Sequence, residues 1–70
     1  MEKYWEKVRR EALEGMRRVI GQEVEDDCAD MTRAYEYALK KLTPAKVAVA
    51  TGYFFDYKWA LHEIAAHEEK

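Results

Sequence analysis

The run Tyr53-Phe54-Phe55-Asp56-Tyr57-Lys58-Trp59 puts five aromatic side chains into seven residues, and apolar surface is nowhere else so concentrated. Any fold must either cover this run or leave it for another chain to cover. The constraint is tight because the chain has only 70 residues. A domain of that size buries only roughly 60% of the surface its unfolded chain exposes, so its core is marginal. Small domains make up the deficit with disulfides, a structural metal or association. Cys28 is the single cysteine, which rules out an internal disulfide and any zinc site built on paired cysteines. Association is the remaining route, and a homo-oligomer is the expectation.

Two periods fit the aromatic run. As a helix, Val47, Ala50, Phe54, Tyr57, Leu61, Ile64 and Ala65 make one face, and Ala48, Phe55, Trp59 and Ala66 make a second beside it. Together they cover roughly two-thirds of the circumference, against about 100° or somewhat more for an ordinary amphipathic stripe. The polar arc that remains holds Gly52, Asp56, Glu63 and His67. As strands, Val47, Val49, Thr51, Tyr53, Phe55, Tyr57 and Trp59 alternate onto one side. Thr51-Gly52 would then have to turn a hairpin, and it is not a favoured turn pair. Ala45, Ala48, Ala50 and Ala60 favour the helix. So does the start at Thr43-Pro44, where threonine suits the N-cap and proline the first helical position. The spacing therefore predicts a helix over 44–68.

Two further helices precede it. Trp5, Val8, Ala12, Met16 and Val19 recur at intervals of three and four, with Leu13 and Ile20 widening the stripe, which predicts a helix over about 3–20. Arg17-Arg18 followed by Gly21 reads as its C-terminus. Glu23, Glu25, Asp26, Asp27 and Asp30 form an acidic cluster suited to the start of a second helix. Cys28, Met31, Ala34, Tyr35, Ala38, Leu39 and Leu42 continue as a stripe over about 26–42. On a shared helical wheel the second stripe is rotated by roughly 90° from the first, which favours a break near residues 21–25. The alternative is one long helix forming a hairpin with the last. The fold class is all-α: a single domain over 1–70, assembling into an oligomeric helical bundle.

Composition narrows the function. Twelve basic and 14 acidic residues give a net charge of −2 and are interleaved, so there is no field to gather a polyanion. Lys3, Arg10, Arg17 and Arg18 leave nucleic-acid binding as a weak alternative, although Glu6, Glu11 and Glu14 share their surface. The N-terminus has no apolar stretch of the signal-peptide kind. The least polar window, Ala45 to Ala66, is broken by Lys46, Asp56, Lys58, His62 and Glu63, so it is not a membrane span. With one unpaired cysteine, a cytoplasmic setting is expected.

Motifs for chemistry are missing. His62 and His67 are five residues apart in His62-Glu63-Ile64-Ala65-Ala66-His67, about 140° on a helix, whereas a zincin needs histidines four apart on one face. Gly15, Gly21 and Gly52 are isolated, so no phosphate loop exists, and the chain has no serine. Cys28 has only acidic charged neighbours, not the cationic ones an activated thiol needs, and it is expected to pack as a small core residue. No catalytic, cofactor-binding or metal-ligating residue is expected, and the chain does not read as an enzyme. The fragment Val49-Ala50-Thr51-Gly52-Tyr53-Phe54 resembles an opening strand of phospholipase D-like domains, but the His-x-Lys motif that family needs does not occur here.

Recognition of another protein fits these residues better. Tyr and Trp are enriched at interface hot spots, which makes Tyr53, Phe54, Phe55, Tyr57, Trp59 and Trp5 the candidate interface. The expected function is an interaction module: an adaptor, inhibitor or regulatory subunit that also binds itself. Thr51, Lys58 and His62 fall within the apolar arc of the last helix. They are read as a polar seam fixing helix register or, alternatively, as part of a site for a small anionic ligand between subunits.

Overall fold

The computed structural model describes residues 3–68. It contains three helices, α1 Tyr4–Ile20, α2 Cys28–Lys41 and α3 Pro44–Glu68, and no strand among the described residues. The aromatic run is helical throughout, and with it the fragment that resembles a phospholipase D strand. Both parts of the two-helix alternative are settled as well: α1 ends at Gly21, and α2 is separate.

Each boundary follows from local chemistry. Gly21 adopts φ 69°, the left-handed conformation, and its N–H donates to the Arg17 carbonyl at 2.9 Å. Asp27 caps α2, its carboxylate accepting the Asp30 N–H at 2.7 Å. Asp30 accepts the Glu25 N–H at 3.0 Å and also pairs with Arg33. That pairing first, and the Glu25 hydrogen bond second, hold its carboxyl below the usual range. Lys40 and Lys41 close α2. Thr43 then starts α3: its carbonyl accepts the Val47 N–H at 2.9 Å and its hydroxyl lies 3.4 Å from the Lys46 nitrogen.

The contacts between helices fix the topology. Trp5 stacks on Trp59, and Gly15 lies under Tyr53, so α1 runs antiparallel to α3. Tyr35 reaches Thr51 and Phe54, and only Leu42 and Thr43 separate α2 from α3, so these two form an antiparallel hairpin. It follows that α1 and α2 are parallel, and residues 21–27 must carry the chain back along the bundle. Two anchors hold this return segment. Arg17 donates from Nε and Nη2 to the Val24 carbonyl at 3.0 and 2.7 Å, while the Val24 side chain is buried. Asp26 accepts the Tyr57 hydroxyl at 2.5 Å and faces Arg9 at 3.7 Å.

The core is narrow and lined with small residues. Its fully buried large side chains are Met16, Met31 and Tyr57, set among Ala12, Ala34, Ala38, Ala50 and Ala60. Alanines at these positions let the helices approach closely, and the two methionines fill the irregular gaps. Gly15 serves the same end in α1: a Cβ there would come within 2.3 Å of the Tyr53 ring. The α3 helix, with 25 residues, is about 37 Å long and accounts for the 41 Å long axis of the molecule. The shorter α2 begins near the level of Tyr57, so beyond that level α3 has only the first turns of α1 beside it.

Two expectations need correcting. Cys28 is exposed, not a core residue, because it occupies the first helical position directly after the Asp27 cap, where the α2 stripe has not yet turned inward. Leu39, placed within the α2 stripe, is 53% exposed; Ala38 takes the contact with the core.

Candidate interaction surface

The outer side of α3, opposite Tyr57, is open. Phe55 is 60% and Trp59 61% exposed. Ala48, Gly52, His62 and Ala66 lie on the same side and are also exposed. This is the second apolar face of the helical reading, joined by His62 and by Gly52, which the spacing alone assigns to the polar arc. The first face is the one that enters the core, through Ala50 and Tyr57, with Val47, Phe54, Leu61 and Ile64 half-buried. A helix apolar on nearly every side is normally buried on every side. Here the chain itself covers one side only.

The first turn of α1 widens the open face. Trp5 stacks on Trp59 with ring centroids 6.0 Å apart and an interplanar angle of 22°. Tyr4, 69% exposed, packs edge-on against Trp5 at 4.9 Å. Grooves flank this aromatic group on both sides. One, of about 480 Å³, is lined by Lys3, Tyr4, Trp5, Glu6, Ile64 and His67. The other, of about 380 Å³, runs past Val8, Tyr53, Asp56 and Trp59 and shares Tyr4 and Trp5 with the first. Trp59 is held from below by Glu63, whose carboxylate accepts the indole N–H at 3.3 Å and lies 3.8 Å from His67.

The six aromatic residues singled out in the sequence thus divide. Phe55, Trp59 and Trp5 share the outer surface. Tyr53 is half-buried against Gly15, and Phe54 is stacked on Tyr35 with centroids 4.6 Å apart. Tyr57 is fully buried in the chain's own core, because its ring points between α1 and α2 while its hydroxyl reaches Asp26. Burial first, and the hydrogen bond to Asp26 second, push its phenol well above the ordinary pKa of 10.0. Tyr4 was missed. Its neighbour Trp5 in the same first turn was the available signal, but only the antiparallel register of α1 on α3 brings the pair to Trp59.

The polar seam also divides. Thr51 donates to the Val47 carbonyl at 2.8 Å, so the Tyr35 hydroxyl, 2.8 Å away, is the donor in their contact. Thr51 is therefore committed to the hairpin between α2 and α3. Lys58 is exposed, with Nζ 5.3 Å from the centre of the Phe54 ring, and His62 is exposed one turn on. Neither of the grooves beside Trp5 is lined by any of the three. Among the basic residues, Arg17 is engaged with the return segment and Arg10 pairs with Glu14 at 3.2 Å. No group of three or more potential metal ligands occurs among the described residues, and no helix is long and apolar enough to cross a membrane.

No family model matches the chain, and no match was found among curated proteins or solved structures. The surface itself is therefore the basis for any functional reading.

Proposed function

We propose that the protein is a small interaction module that associates with itself, and with a partner protein, through the outer face of α3 and the first turn of α1. The observation that carries this is the exposure of Phe55 and Trp59 one turn apart on the outer face of α3, with Tyr4 exposed beside the half-buried Trp5 that stacks on Trp59. Large exposed apolar patches on small chains mark interaction sites, and tryptophan and tyrosine are the side chains most often found at the energetic centre of an interface. Its role would be that of an adaptor, inhibitor or regulatory subunit in the cytoplasm, without catalysis of its own.

The alternative, a small anionic ligand held between subunits by Lys58 and His62, draws support from the exposure of both groups beside the same face. Thermal melts distinguish the two. If association stabilises the fold, Tm rises with chain concentration, and Phe55→Glu with Trp59→Glu removes that dependence. A Tm independent of concentration in the unmutated chain would count against self-association. A rise of several degrees with a nucleotide or inorganic phosphate, lost in Lys58→Met, would replace the module with the ligand site.

A further inference from the structure

Gly52 is the least explained residue of α3. An exposed glycine inside a helix is less favourable than alanine, and nothing in the chain lies within 4 Å of where its Cβ would be. Packing within the chain does not require a glycine there. Its neighbours on the outer face give it a reason. Ala48, Gly52, Phe55, Trp59, His62 and Ala66 are spaced four, three, four, three and four residues apart, and all six are exposed. That alternation is the seam of a two-helix coil, which keeps one line of residues against a partner helix. Tyr57, the centre of the buried face, falls on the side directly opposite.

Charges beside the seam select the partner and its direction. Thr51 and Lys58 border it on one side, Asp56 and Glu63 on the other. When two such helices run parallel and in register, a residue on the first border faces the residue five positions further along on the second border of its partner. Lys58 then meets a Glu63 carboxylate, twice by symmetry, while Thr51, whose hydroxyl is already committed to Val47 and Tyr35, faces Asp56 without opposing its charge. Run antiparallel with Phe55 facing Trp59, the same helices bring Asp56 against Asp56 and Lys58 against Lys58. The parallel arrangement also gathers the small residues Ala48 and Gly52 at one end, where the backbones can approach. The helices then diverge to fit the Phe55 and Trp59 layers, with Trp5 backing Trp59.

We infer that the occupant of the outer face is a second copy of this chain, its α3 parallel to and in register with the first, joined by Lys58–Glu63 pairs across the two-fold axis. This rests on the self-association proposed above, and adds to it a direction and a register that can fail separately.

Disulfide pairing tests it. Ala48→Cys and Ala66→Cys are each made in a Cys28→Ser background, since exposed Cys28 would otherwise cross-link. The two proteins, one labelled with ¹⁵N, are mixed and equilibrated in a glutathione redox buffer, and disulfide-linked pairs are weighed by mass spectrometry. Parallel pairing in register predicts at least a tenfold excess of like-with-like pairs over mixed pairs. A dominant mixed pair would mean antiparallel helices and would overturn the inference while leaving self-association intact. Statistical pairing in a sample that sediments as a dimer would place the interface elsewhere, with the same consequence. Statistical pairing in a monomeric sample would remove both. As a second measurement, Lys58→Glu should weaken dimerisation severalfold, and Lys58→Glu with Glu63→Lys should restore it; failure of the exchanged pair to restore it contradicts the assigned contact.

Discussion

Gly15 and Tyr53 show how one residue sets the spacing of two helices. A Cβ at position 15 would displace the Tyr53 ring, so Gly15→Ala should lower stability even though alanine is the better helix former. Overpacking costs typically 1–3 kcal/mol against a propensity gain of about 1 kcal/mol. A net loss near 1 kcal/mol lowers Tm by roughly 4–8 °C in a domain of this size. In a Tyr53→Ala background the clash is gone, and Gly15→Ala should become stabilising by about 1 kcal/mol. Urea unfolding of the four proteins in this cycle checks the change of sign. The sequence shows Gly15 as an isolated glycine in a helix; that it sits under an aromatic ring depends on the register of α1 against α3, which spacing alone does not define.

Tyr57 yields a pH dependence with a definite sign. Its phenol pKa in the folded chain lies above the ordinary value of 10.0, so the neutral form is the one the fold favours. The stability tied to that preference is complete below about pH 10, the pKa of an unfolded tyrosine, and is lost as pH rises from there toward the folded pKa. Stability of the unmutated chain should therefore fall more steeply above pH 10 than that of Tyr57→Phe. At pH 7 the same substitution removes the bond to Asp26 and should cost about 1–2 kcal/mol. Parallel denaturant melts at pH 7 and pH 11 give both quantities, and equal pH slopes for the two proteins would contradict the role of the hydroxyl.

At the scale of elements, boundaries were the most legible part of the chain. Arg17-Arg18-Gly21, the acidic run ending in Asp27 and the pair Thr43-Pro44 are local signals, and each governs only the few residues around it. The helix over the aromatic run was legible too, once its alanines were weighed against its good strand alternation. The return of residues 21–27 along the bundle was not. It depends on Arg17 reaching seven residues ahead to the Val24 carbonyl and on Asp26 meeting a tyrosine 31 residues away. Removing the first anchor with Arg17→Met keeps the hydrophobic stem and deletes both hydrogen bonds. It should destabilise the fold by about 1–2 kcal/mol, since a partly buried acceptor loses both of its donors. Amide exchange should quicken in residues 21–27 more than in the middle of α1. Uniform acceleration across the chain would mean that the segment is not an independently held unit.

For the whole molecule, the central feature is that α3 is apolar on two faces and the chain's other helices bury only one of them. Two-thirds of the circumference was visibly apolar in the sequence, and from that followed the expectation that one neighbour could not cover it. Which aromatics face inward was decided by the bundle: Tyr57 went to the core, Tyr53 and Phe54 to the helix contacts, and Phe55 and Trp59 stayed outside. Phe55→Glu and Trp59→Glu should leave the three helices folded, because both side chains are mostly exposed; losing the stack of Trp59 on Trp5 should cost about 1 kcal/mol. Sedimentation equilibrium of the unmutated chain and of this double variant, over a range of loading concentrations, is the most direct test of an interface on the outer face of α3. The unmutated chain should show a mass of at least two chains that falls toward one on dilution, and the variant should remain a folded monomer throughout. An unmutated chain that stays monomeric at every concentration, or a variant that assembles as well as its parent, would contradict it.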